Sequence, residues 1–174
     1  MQELHRLTSE YIESEDRLRL TGEDQQGEAL CLWLTQRLAL RMISHLINLL
    51  AKGSPEALQN PTQDDDTNDL LQGFAQDAAT SNIEHQEAVD SSKATKSLLV
   101  MEVDISRSPE GAVGFVFKNA DDHVSLGFEA QQLRQWLTIM YAQWQVAQWP
   151  DQIWPQWIAK RETPDANSTE RPIH

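Results

Sequence analysis

A single cysteine, Cys31, in 174 residues has no partner for an intramolecular disulfide and cannot support a cysteine-ligated zinc site. Long apolar runs are missing as well. None approaches the ~20 residues that a membrane span requires, and MQELHRLTSEYIESEDRL carries no apolar stretch of a secretory signal. The expectation is a cytoplasmic setting with no membrane partner. Positive charge is scarce, 14 Lys and Arg against 27 Asp and Glu, for a net charge of -13. Affinity for phosphate comes from basic side chains that release counterions, so this balance disfavours nucleic acid.

Motifs of catalysis are also absent. There is no P-loop, no G-x-G-x-x-G after a strand, no H-E-x-x-H and no G-x-S-x-G. His5, His45, His85, His123 and His174 are scattered, with no two on one helical face, so a metal site is not expected. Asp64, Asp65, Asp66 and Asp69 have the acid density of a calcium loop but lack its glycine and its closing glutamate. Cys31 reads as a small strand hydrophobe, His45 as a helix-flank residue, and His123 with Asp121 and Asp122 as turn chemistry. No catalytic residue, cofactor or metal ligand is assigned.

What is present is one pattern written twice. In the first half Leu18 and Leu20 alternate with Arg17, Arg19 and Thr21, GEDQQGEA supplies a polar loop, and Leu30, Leu32 and Leu34 share a strand face opposite Cys31 and Trp33. A weaker alternation over Glu3–Tyr11 suggests one more strand. Thr35 suits a helix N-cap, an apolar stripe from Leu38 to Leu50 follows, and Gly53 and Pro55 end it. In the second half Leu99, Met101, Val103 and Ile105 alternate, then Val113, Phe115 and Phe117, then Val124, Leu126 and Phe128. A helix from about Glu129 to Gln148 carries Leu133, Trp136, Leu137, Met140, Tyr141 and Trp144 at spacings of three and four, and Pro150 ends it. The reading is α+β: duplicated β-meander-plus-helix units (βββα twice) around an antiparallel sheet core.

Residues 53–95 carry nine acids and one base, Lys93, so eight of the thirteen net negative charges sit there. Few apolar residues are available to offset the entropy of ordering, so a flexible acidic linker is expected. DLLQGFAQ (Asp69–Gln76) is its least polar stretch, either a docking peptide or simply part of the tether. The organisation is then 1–52 for the first unit, 53–96 for the linker, 97–160 for the second unit with a Trp-rich extension, and 161–174 for a disordered tail.

Trp136, Trp144, Trp149, Trp154 and Trp157 crowd one end of the chain, and Pro150 and Pro155 forbid one continuous helix through the last three. Either this segment folds back to seal the core, over the face of Cys31 and Trp33, or Trp33, Trp149, Ile153, Trp154 and Trp157 form an interaction surface. Arg17, Arg19, Arg37 and Arg41 are the one basic cluster, a candidate contact for an anion or an acidic partner. The leading expectation is a non-enzymatic protein-interaction module, an adaptor, assembly factor or small acidic chaperone, with a protein partner and a homodimeric state. A second is a binder of a small apolar or aromatic ligand between the two helices, lined by Trp136, Met140, Trp144 and Met42. A third is single-stranded nucleic-acid binding. Duplicated meander-plus-helix units of this kind occur in the Whirly and PUR binders, whose motifs are not found here, and the charge disfavours that use.

Overall fold

The computed structural model describes residues 1–52 and 65–160; the expectations for 53–64 and for the tail 161–174 lie outside the described residues. The first half contains β1 (Gln2–Leu4), β2 (Arg6–Ile12), β3 (Arg17–Glu23), β4 (Ala29–Thr35) and α1 (Gln36–Lys52). α2 (Asp65–Ser81) comes next. The second half contains β5 (Lys96–Leu99), β6 (Glu102–Arg107), β7 (Val113–Lys118), β8 (His123–Phe128) and α3 (Ala130–Ala147), with a one-turn α4 (Gln156–Ala159) after it. The class is mixed α+β.

Two four-stranded sheets form, sheet I in the order β1-β8-β7-β6 and sheet II in the order β2-β3-β4-β5. Neither is purely antiparallel, which corrects the expected core. Each is an antiparallel meander joined by one parallel strand, β1 along β8 and β5 along β4. Each half therefore supplies four strand segments, and its opening segment pairs with the last strand of the other half.

The corners explain how. His5 N–H donates to the Glu23 carbonyl (2.8 Å), Val100 N–H to Trp33 (2.9 Å) and Met101 N–H to Lys118 (2.8 Å), so backbone pairing continues through both bends. β1–β2 and β5–β6 are thus each one long strand that leaves one sheet and enters the other. The ladder closes into a barrel-like circuit. At each corner the inward face slips by one residue, as a bend between sheets permits. Leu4 faces inward from β1, but Leu7, Ser9 and Tyr11 do so from β2. Leu98 and Val100 are buried, then Val103 and Ile105 pack on the core, while Leu99 and Met101 are 43% and 72% exposed. The continuous face expected for Leu99 through Ile105 is therefore split. At the first corner Leu4 crosses directly over Gly22, where an added Cβ would collide with Leu4 Cδ1.

α1 lies on β3 and β4 with Ala39, Met42, Ile43, Leu46 and Leu50 inward, and Thr35 Oγ1 accepts from Leu38 N–H (3.3 Å), the cap read from sequence. α3 lies on β2 and β8, opened by a capping box between Glu129 and Gln132. Met42, Trp136, Met140 and Trp144 are all buried in one continuous core, so the crevice expected between the helices is filled.

The Trp-rich extension seals the far end of α3. Trp144 donates to the Pro150 carbonyl (3.0 Å) and Trp149 to Asp16 (3.0 Å), and the Trp144 ring meets Trp149 and Trp154 edge-on. It does not cover Cys31 and Trp33. That outer face of sheet II is crossed instead by residues 82–93, with Val89 buried and its N–H given to Thr8 Oγ1 (2.9 Å). Thr21 and Cys31 lie on this face, both buried.

Candidate functional site

Over residues 65–81, within the stretch expected as a flexible linker, the chain forms the helix α2. Four residues at helical spacing, Asn68, Gln72, Gln76 and Thr80, share one side of it, and this polar side faces the protein. Asn68 and Gln72 donate to the carbonyls of Ala51 (3.3 Å) and Leu50 (3.0 Å), which the end of α1 leaves without helical partners. Gln76 donates to the Arg134 carbonyl and to Thr138 Oγ1, both at 2.8 Å. Arg134 on α3 returns the contact, donating to Gln72 Oε1 (2.6 Å) and Gln76 Oε1 (3.5 Å), while its guanidinium packs on the Trp157 ring at 5.7 Å. Burial pushes the Arg134 pKa below its ordinary value. The helix is held chiefly by a network of side-chain amides and one guanidinium, with Ala79 its one buried apolar side chain among the described residues.

The consequence is an inverted helix. Leu70 and Phe74, one turn apart, point to solvent at 60% and 63% exposure. Beside them a groove of about 270 Å³ runs between α2 and α4, floored by Gly73 and Trp157 and bordered by Asp69, Asp77 and Gln156. Asp66 lies exposed one turn before Leu70, and Lys160 pairs with Asp77 (2.7 Å) at the far end. Gly73 costs the helix about 1 kcal/mol relative to alanine. Packing does not demand it: the nearest atom to an added Cβ is Trp157 Cβ at 3.9 Å.

The expected surface of Trp33, Trp149, Ile153, Trp154 and Trp157 does not assemble. Trp149, Trp154 and Trp157 are buried and Ile153 packs against the core, because the two prolines fold this segment onto α3. Trp33 lies apart on the outer face of sheet II, its indole N–H on Ser97 Oγ (2.8 Å) and its ring 5.8 Å from the Arg19 guanidinium. Nor do the four arginines gather. Arg17 and Arg19 are on that same outer face, with Arg19 paired to Glu10 (2.8 Å), whereas Arg37 and Arg41 are exposed on α1, which packs against the inner face. The segment after α2 is held by Arg6, which donates to the Glu87 carbonyl (2.6 Å), a residue outside the predicted cluster.

The amide stripe of α2 was missed in the sequence because polar residues were read as solvated. Its signal was the i, i+4 recurrence of Asn, Gln, Gln and Thr. Among the described residues no three His, Cys, Asp or Glu side chains gather as metal ligands would, and no helix is long and apolar enough to cross a membrane. No protein-family model, curated protein or solved structure matches the chain.

Proposed function

We propose that this chain is a non-enzymatic protein-interaction module that takes a large apolar side chain of a cationic partner segment into the groove between α2 and α4. The observation that carries this is the pair Leu70 and Phe74, exposed on a helix that packs by its polar side. Burying a leucine or phenylalanine side chain is worth about 1.5–3 kcal/mol, and a partner that covers both recovers what folding leaves unused. Asp66 and Asp69 beside them select for positive charge and against acidic partners. We also read the matching connectivity of the two halves as the trace of a duplicated unit. On that reading α2 and α4 lie outside the repeated unit, and the function resides in the groove between them. An adaptor or assembly role in the cytoplasm suits the module.

The test uses two helical model peptides with the same Leu and Phe anchors, one flanked by lysines and the other by glutamates. Amide chemical-shift mapping should show the lysine peptide perturbing α2 and α4, the glutamate peptide perturbing neither, and Phe74→Ser abolishing the response. Shifts elsewhere, or equal binding of both peptides, would overturn the reading. So would light scattering that shows a dimer dissociated by Phe74→Ser, because the occupant would then be a second copy.

A further inference from the structure

A larger recess, about 520 Å³, lies between β2, α3 and residues 82–89. That volume is within the range of small-molecule sites. Its floor is aromatic. Trp136 and Phe128 stand 5.3 Å apart, and the Trp136 N–H is already given to Ser9 Oγ (2.9 Å), so the indole offers the recess apolar surface and no donor. Leu7 and Ile139 extend this wall. The opposite wall is residues 82–89, held in place by the Val89 bond to Thr8 and the Arg6 bond to the Glu87 carbonyl, so the recess exists before any ligand enters.

Charge decides the class of ligand. Arg6 is the one Lys or Arg in the lining, and it is engaged with Glu23 (3.1 Å) as well as with Glu87 O. Glu84 and Glu87 line the same wall with no ion-pair partner among the described residues, and His5 and His85 are the other titratable side chains of the lining. An anionic ligand would meet two like charges and no available guanidinium or ammonium. A cationic one would find carboxylates on one side and aromatic rings on the other, the combination that holds organic ammonium groups. We propose that this recess binds a small aromatic amine, its ring against Trp136 and Phe128 and its ammonium toward Glu84 and Glu87. This site is separate from the α2–α4 groove and shares no residue with it.

The probes are 2-phenylethylamine, 2-phenylethanol and phenylacetate, which share a ring and linker and differ in charge. Titration calorimetry on the full chain should give the amine at least tenfold tighter binding than the alcohol, with phenylacetate weakest. Glu84→Gln/Glu87→Gln should lower the amine to the level of the alcohol. Ile139→Arg, at a position exposed enough to accept it, should abolish amine binding, with unchanged circular dichroism as the folding control. The proposal is overturned if the amine does not bind at millimolar concentration, if the alcohol or the acid binds as tightly, or if both variants bind the amine as the parent does.

Discussion

Replacing Gln72 by methionine tests the inverted packing of α2 most directly. The substitution keeps the length and flexibility of the side chain and removes both ends of its amide. Two bonds go: the neutral one to the Leu50 carbonyl at 3.0 Å and the charge-assisted one from Arg134 at 2.6 Å. The first is worth roughly 1 kcal/mol and the second roughly 1.5–3. Gln72 is 2% exposed, so water cannot readily replace it. Glutamine and methionine have nearly equal helix propensity, which adds little to the balance. The expected loss is about 2–4 kcal/mol, or a fall of roughly 5–15 °C in melting temperature for a chain of this size. Urea denaturation supplies the free energy, and amide hydrogen exchange shows where it is lost: protection should drop first over residues 66–81 and the last turn of α1. A loss below about 0.5 kcal/mol with unchanged exchange in α2 would refute the account of how this helix is held.

Four other outcomes follow from the same structure. Gly73→Ala should raise stability by about 0.5–1 kcal/mol through helix propensity and yet weaken the lysine peptide, since the new methyl enters the groove; a variant that is stabilised with full binding would remove the groove from the function. Gly22→Ala drives a Cβ into Leu4 and should cost about 1–3 kcal/mol, and adding Leu4→Ala should restore part of it in a double-mutant cycle. Trp144→Ala, fully buried among Trp149, Trp154 and the Pro150 carbonyl, should cost about 3–5 kcal/mol by chemical denaturation. The bonds from Trp149 and Tyr11 hold the Asp16 carboxyl below its ordinary 3.8. A lowered folded pKa means stability that is present above the ordinary value and lost as pH falls through the folded one. Acidification below about pH 4 should therefore shift tryptophan emission to the red, and Asp16→Asn should flatten that response.

The strands were legible wherever one face is oily and the other wet. Leu30, Leu32 and Leu34, or Phe115 and Phe117, announce their face because nothing else satisfies a period of two. Thr35 was legible as a cap because its hydroxyl reaches Leu38 N–H by local geometry alone. The exchange of β1 and β5 was not legible, since parallel pairing between distant segments leaves no local mark. The slip at Val100–Met101 even produced a false alternation, Leu99 and Met101 continuing into Val103 and Ile105. Composition misled at α2, where Asn68, Gln72 and Gln76 look solvated but their bonds to Leu50, Ala51 and Arg134 are tertiary. The tryptophans showed that the end of the chain matters to packing. Which side they present depends on Asp16 and Pro150, and only the folded chain brings those together.

The reciprocal lending of β1 and β5 has a consequence for synthesis on the ribosome. Until Leu99 has emerged, Leu30–Trp33 stands as a bare, apolar edge awaiting its neighbour, so the earlier-made portion must wait, sticky, for the later one. The same lending makes a backbone cut between Lys52 and Asp65 a natural place for a split reporter, because each piece carries a strand that only the other can use.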